Sequence, residues 1–181
     1  MPTQRTYVAF LGGVNVGGHR VSMPALQREF ETLGYSDVST FIASGNVVFT
    51  AAGRATALER AIEAQLGTTL GYDVPTFVRT PAELTKVTRA KPFRSVPSGS
   101  THLIGFLRDA PPAATVRAIE ALSNDVDRFV VQGNHFHWLV RGGGQMSSQV
   151  KRGVLVRTVG RAYTTRNVKS LTKLAEKVAA A

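Results

Sequence analysis

The chain has 181 residues, with 22 lysines and arginines against 12 aspartates and glutamates (net +10), no cysteine, and 43% hydrophobic residues. That length holds one large or two small domains with core enough to fold unaided, and the missing cysteines exclude disulfides, thiolate zinc sites, iron–sulfur clusters and a thiol nucleophile. No apolar run approaches the roughly 20 residues that span a bilayer, and residues 1–6 lack the apolar core of a secretory signal, so a cytoplasmic protein with no membrane partner is expected.

Residues 6–11 are rich in β-formers and end at glycines, which predicts a buried strand. Four glycines among residues 12–18 forbid regular structure there. Ser22 is placed to cap a helix with Pro24 in its first turn, Leu26, Phe30 and Leu33 on one face, and Gly34 as its stop. Strands at 37–42 and 46–50 flank Ala43, Ser44 and Gly45 at hairpin spacing. A helix over 54–70 repeats Leu58, Ile62 and Leu66, a strand follows at 74–79, and Thr80, Pro81 and Glu83 read as a capping box. Strand, helix, hairpin, helix, strand is the order of a ferredoxin-like βαββαβ unit over residues 1–90.

Residues 91–100, with Pro92, Pro97 and Gly99, read as a linker. The pattern then restarts over 101–181: a strand at 101–107, a helix through Val116, Ile119 and Leu122, and strands at 127–131 and 135–140 around Gly133 and Asn134. FIASGNVVF from Phe41 and FVVQGNHFH from Phe129 share an aromatic residue, an apolar pair and a Gly-Asn turn at an offset of 88 residues, the mark of a duplication. A mobile glycine loop at 142–144, a helix over 148–159 and a strand at 162–165 complete the second unit. A last helix starts at Asn167, with Val168, Leu171, Leu174 and Val178 on one face and Lys169, Lys173 and Lys177 on another. The expected fold is therefore α+β: two tandem ferredoxin-like units with antiparallel sheets, plus a C-terminal helix.

Three segments carry candidate chemistry. The 12–18 loop lies between a strand and a helix start, where backbone N–H groups and the positive helix end favour an anion; Asn15, Gly17, Gly18, His19 and Arg20 are its candidate binders. It is neither a Walker loop, since His19 and Arg20 follow Gly18 where Lys-Ser/Thr belongs, nor GxGxxG. Ser44 and Asn46 in the hairpin turn are the second set, equally explained as turn residues; the sequence leaves open whether that turn and the glycine loop share an end of the sheet. Arg166 and Asn167 form the third, a guanidinium able to grip a phosphate beside a residue that suits a helix cap. On the strand at 135–140, His135 and His137 share one face and Phe136 and Trp138 the other. No third metal ligand lies nearby, and the rings fit a core better than an RNA-stacking face. Asp125 and Asp127 read as turn and cap. Neither a metal nor another cofactor is expected.

The charge is lopsided. Residues 1–90 hold 8 basic and 7 acidic side chains, a net of +1, while residues 91–181 hold 14 and 5, a net of +9. An acidic partner is implied, nucleic acid first, with Arg152, Arg157, Arg166, Lys169 and Lys173 as phosphate contacts; a surplus kept for solubility explains the same numbers. Two other readings stand beside it. One is an enzyme acting on a small anionic metabolite in a cleft between the units, using His19, Arg20, Ser44, Asn46 and Arg166. The other is a structural homodimer.

Several of these segments together resemble a known family: the run from Phe10 to Gly18, Met23 before the first helix, Tyr35 to Asp37, Ser44 to Phe49, and Thr164 to Leu174. They are similar to the hallmark segments of DUF1697, a bacterial family of unknown function. The resemblance implies a cytosolic α+β protein of two ferredoxin-like halves with no established activity. Asn15, Gly17, Gly18, Ser44, Gly45, Asn46, Arg166 and Asn167 match its recurrent positions, whereas its usual loop arginine is Gly12 here and its usual tryptophan after the Arg-Asn pair is Val168.

Overall fold

The computed structural model describes residues 3–42 and 45–180. The chain divides into two compact units, one of Met1–Val87 with Leu174–Ala181 and the other of Thr88–Lys173. The first contains β1 (Gln4–Leu11), α1 (Met23–Thr32), β2 (Ser36–Thr40), β3 (Asn46–Ala52), α2 (Ala55–Leu70), β4 (Thr76–Arg79) and α3 (Pro81–Arg89), whose last residues pass into the second. Its four strands form an antiparallel sheet in the order β2-β3-β1-β4. Alternation decides the core: Tyr7, Ala9 and Leu11 of β1 point to the side covered by Leu26 and Phe30 of α1 and by Leu58, Ile62 and Leu66 of α2, and Phe49 of β3 joins them. Val8 and Phe10 on the opposite face are buried as well.

Local chemistry sets the element ends. Ser22 Oγ accepts from the Ala25 amide (3.2 Å) at the start of α1, and α2 stops at Gly71 in the left-handed region. The capping box forms: the Thr80 amide donates to Glu83 Oε2 (2.8 Å) and the Glu83 amide to Thr80 Oγ1 (3.2 Å). β4 is an edge strand, and α2 closes that edge, since Glu63 Oε1 accepts from the Thr76 amide and Glu59 Oε1 from the Val78 amide, both at 2.9 Å. β2 is shorter than the expected 37–42. Asp37 and Ile42 adopt positive φ, and the pairing with β3 shifts register between Ser36 and Ser39.

The second unit contains β5 (Thr101–Phe106), α4 (Ala113–Glu120), β6 (Asp127–Gln132), β7 (His135–Val140), a 3-10 turn (Gln145–Ser147), α5 (Arg152–Val159) and β8 (Thr164–Asn167), and takes in the start of α6 (Val168–Ala179). Its antiparallel sheet has the order β6-β7-β5-β8, and Phe129, Phe136, Trp138 and Val140 pack with Ile119 and Leu155. Phe136 lies across Gly105 on the paired strand, filling the space a Cβ would need. The two sheets repeat a detail: the Leu11 amide donates to the Gly45 carbonyl in one and the Leu107 amide to the Asn134 carbonyl in the other, both at 2.9 Å. The edge strand β6 is also capped from a helix, with the Val131 amide donating to Glu120 Oε1 (3.0 Å). Residues 90–100 contain no helix or strand. α5 begins four residues later than expected because the Ser148 hydroxyl and Gln149 amide are engaged by Asp127, and β8 runs two residues beyond the expected 165 in register with β5.

Candidate functional site

The 12–18 loop is pinned rather than slack. Tyr72 Oη donates to the Val14 carbonyl (2.8 Å), the Val21 amide donates to Asn15 Oδ1 (2.7 Å), and the His19 ring stacks on Tyr72 with centroids 3.8 Å apart. Asn15 thus spans the loop. Gly13, Gly17 and Gly18 all have positive φ, which other residues adopt only with strain. Asn15, Gly18, His19 and Arg20 line, with Val21 and Ser22, a cavity of about 600 Å³ beside the first turn of α1. Among the described residues, the Gly17 and Gly18 amides have no hydrogen-bond partner.

The hairpin turn does share an end of the sheet with this loop. Besides the Leu11–Gly45 bond, a Cβ on Gly45 would lie 2.8 Å from Val14 Cγ1, so the two segments touch. Ser44 lies outside the described residues. Asn46 is buried, and its Nδ2 donates to the Phe41 carbonyl (3.1 Å), which serves the hairpin itself.

The third candidate set separates. Asn167 caps α6, its Oδ1 accepting from the Lys169 amide (2.9 Å). Arg166 is only 9% exposed; its Nη1 donates to Thr164 Oγ1 (2.7 Å) and to the Thr165 carbonyl (2.9 Å), and burial pulls its pKa down to about 10. Arg152, Arg157, Lys169 and Lys173, by contrast, are exposed, and among the described residues none of the four makes an ion pair with a carboxylate.

Two polar clusters in the second unit were not legible as such in the sequence. His137, fully buried, joins two neighbours: its Nε2 is 3.1 Å from Gln132 Oε1 and its Nδ1 is 3.0 Å from Nε2 of His102, a residue 35 positions earlier on β5. With the Gln132 oxygen as acceptor, His137 carries its proton on Nε2 and His102 donates from its own Nε2. Burial lowers the His137 pKa to about 3, with further depression from His135 and His102, and lowers that of His102 to about 4. Both are neutral at pH 7. Among the described residues no group of three or more His, Cys, Asp or Glu side chains is arranged to hold a metal ion.

The second cluster is centred on Asp127, fully buried. Its Oδ1 accepts from Trp138 Nε1 (2.8 Å) and Ser148 Oγ (2.7 Å), and its Oδ2 from the Gln149 amide (2.8 Å) and Asn124 Nδ2 (3.2 Å). A carboxylate with four donors fixes the far end of the glycine loop that follows β7. The one readable signal is an acid at the start of a β-rich run. Phe136 and Trp138 lie in the core, away from any base-stacking role.

The model of the family described as protein of unknown function (DUF1697) matches residues 4–137. The chain belongs to DUF1697. The match takes in the glycine loop, the hairpin and β1 to β6, and ends before the segment that contains Arg166 and Asn167. Among solved structures, that of a conserved bacterial protein from Streptococcus pneumoniae is similar at 21% identity, covering 96% of this chain and 98% of that one with a TM-score of 0.75. At that identity the likeness concerns the fold: α+β, with two four-stranded antiparallel sheets and six α-helices among the described residues. No curated protein matches this DUF1697 chain. No helix among its described residues is long and apolar enough to cross a membrane.

Proposed function

We propose that this protein binds a polyanion, nucleic acid first, through its second compact unit. The observation that carries the reading is the partition of charge. Thr88–Lys173 holds 14 basic and 4 acidic side chains, a net of +10, whereas Met1–Val87 with Leu174–Ala181 holds 8 of each, a net of zero. Solubility alone gives no reason for one of two similar units to take the whole surplus, while a surface built to neutralise phosphates does. Arg152 and Arg157 on α5 and Lys169 and Lys173 on α6 are the contacts, each exposed and without a carboxylate partner among the described residues. Arg166, being buried, is read as an internal brace. The setting is taken to be the cytoplasm, and each unit is read as ferredoxin-like, which the strand orders β2-β3-β1-β4 and β6-β7-β5-β8 support.

Fluorescence anisotropy of labelled RNA and DNA oligonucleotides at 50 and 200 mM salt tests this. Four phosphate contacts predict a log–log salt slope of about −3 to −4, so affinity falls roughly a hundredfold over that interval. Absence of binding at 50 mM refutes it.

The cavity beside Asn15, Gly18, His19 and Arg20 favours a second reading, a small phosphate-bearing ligand held by the first unit. Calorimetric titration with inorganic phosphate and a nucleoside monophosphate tests it. Heat that persists unchanged in Arg20→Ala rejects this site.

A further inference from the structure

Met146 is 99% exposed, the most exposed of the large hydrophobic side chains among the described residues, and the segment carrying it is held in place. The Arg141 amide donates to the Val126 carbonyl (2.9 Å), Ser147 Oγ to the Gly142 carbonyl (2.7 Å), and the Ser148 hydroxyl and Gln149 amide to buried Asp127. Between these ties Gly142, Gly143 and Gly144 take positive φ and Gln145–Ser147 forms the 3-10 turn that lifts Met146 into solvent. The corresponding connection of the first unit has no such loop. There only Gly53 and Arg54 separate β3 from α2, whereas residues 141–151 separate β7 from α5. The enlarged connection thus belongs to the unit with all the surplus charge, and its tip is apolar between exposed cations: Arg141 five residues before, Lys151 and Arg152 five and six after.

We infer that Met146 contacts bases of the bound nucleic acid while the cations that flank its loop in the chain hold the phosphates, so that the loop is the base-sensing part of the interface. The inference rests on the polyanion reading above and names its partner more closely. An unbranched thioether is polarisable, favours aromatic faces and bends to fit them, and apolar side chains inserted beside bases are a recurrent device of nucleic-acid binders. Phosphate contacts alone cannot distinguish an oligonucleotide from another polyanion; a base contact can. A lipid surface is the competing partner for an apolar tip among cations, and the test contains it.

The experiment compares wild-type protein, Met146→Ala, Met146→Leu and Arg152→Ala in binding to a labelled single-stranded oligonucleotide, to inorganic polyphosphate, and to vesicles of phosphatidylcholine with phosphatidylglycerol. Expected is a loss of about three- to tenfold in oligonucleotide affinity for Met146→Ala. Polyphosphate affinity stays within about twofold, Met146→Leu retains most of the oligonucleotide affinity, and Arg152→Ala weakens both polyanions. Equal affinities for wild type and Met146→Ala, or equal losses on both polyanions, overturn the base contact and leave the polyanion reading standing. Binding to neither polyanion removes both. Met146-dependent binding to vesicles with none to the oligonucleotide overturns it in favour of a lipid surface.

Discussion

The imidazole chain in the second unit predicts an acid-sensitive stability that can be worked through. His102 and His137 titrate near 6.5 in an unfolded chain, but near 4 and 3 respectively when folded, chiefly because burial penalises the cation. Well above pH 6.5 both states are neutral and the full stability is present. As pH falls below 6.5 the unfolded chain takes up protons that the folded one refuses, so stability drops until the folded values are reached. Between pH 6.5 and 5.0 each imidazole accounts for about 1.6 kcal/mol, and the two treated independently for about 3 kcal/mol, a large share of the roughly 5–15 kcal/mol of an ordinary domain. Their contact makes the sum approximate. This window lies above the ordinary carboxylate range, which keeps aspartates and glutamates out of the comparison. Urea unfolding followed by the single tryptophan, Trp138, reports on the right unit because that indole is buried in its core. His137→Gln keeps a neutral polar group at 137 and removes one proton site. Its stability at pH 6.5 is lower through lost packing, so the informative quantity is the loss between pH 6.5 and 5.0. That loss should shrink to half the wild-type value or less. An unchanged loss would show that the buried pair is not the source.

Asp127→Asn replaces one acceptor oxygen by a donor facing either the Trp138 indole N–H and Ser148 hydroxyl or the Gln149 amide; a loss of about 2–4 kcal/mol is expected in urea unfolding, with faster amide exchange across 142–149 by mass spectrometry. Gly105→Ala drives a methyl into the Phe136 ring on the paired strand and should cost about 3 kcal/mol or more by the same unfolding assay; a cost below 1 kcal/mol would mean the ring readily moves aside. Glu63→Ala strips the β4 edge of the acceptor for the Thr76 amide, which predicts a loss of about 1–2 kcal/mol and a greater tendency to associate, read by light scattering.

Much of the fold could be read because its signals are local. Ser22, Thr80 with Glu83, and Gly34 act through neighbours within four residues, and the alternation along β1 needs only one strand to be seen. What escaped depends on distant partners. His102 approaches His137 only through the pairing of β5 with β7, which places Ile104 rather than His102 opposite His137. Asp127 looks like a turn residue until the chain returns 21 positions later with Ser148. Arg166, a guanidinium beside a helix start, invites a surface role, yet strand alternation on β8 turns it inward, where the Thr164 hydroxyl receives it. Charged residues on strands are therefore the class for which one-dimensional reading fails here, because facing is decided by register.

The duplication sharpens the functional argument. Two units of like strand order carry matching bonds at Leu11 and Leu107, and each closes one edge strand from a helix, β4 in the first and β6 in the second, so the plan of a stable unit is present twice. Features present in only one unit, apart from the buried Asp127 and His137 clusters, are then the ones stability does not demand. In the first unit these are the glycine loop pinned by Tyr72 and Asn15; in the second, the net charge of +10 and the tethered loop that exposes Met146. The glycine loop offers backbone donors and space for a small anion, the second unit four exposed cations without carboxylate partners among the described residues and an apolar tip. A long polyanion meets the second set more fully than the first, because its attraction grows with the number of cations engaged and falls with salt. The anisotropy experiment therefore discriminates between the two units as well as between binding and none: wild-type affinity lost in Arg152→Ala but kept in Arg20→Ala assigns the polyanion to the second unit, and the reverse assigns it to the glycine loop.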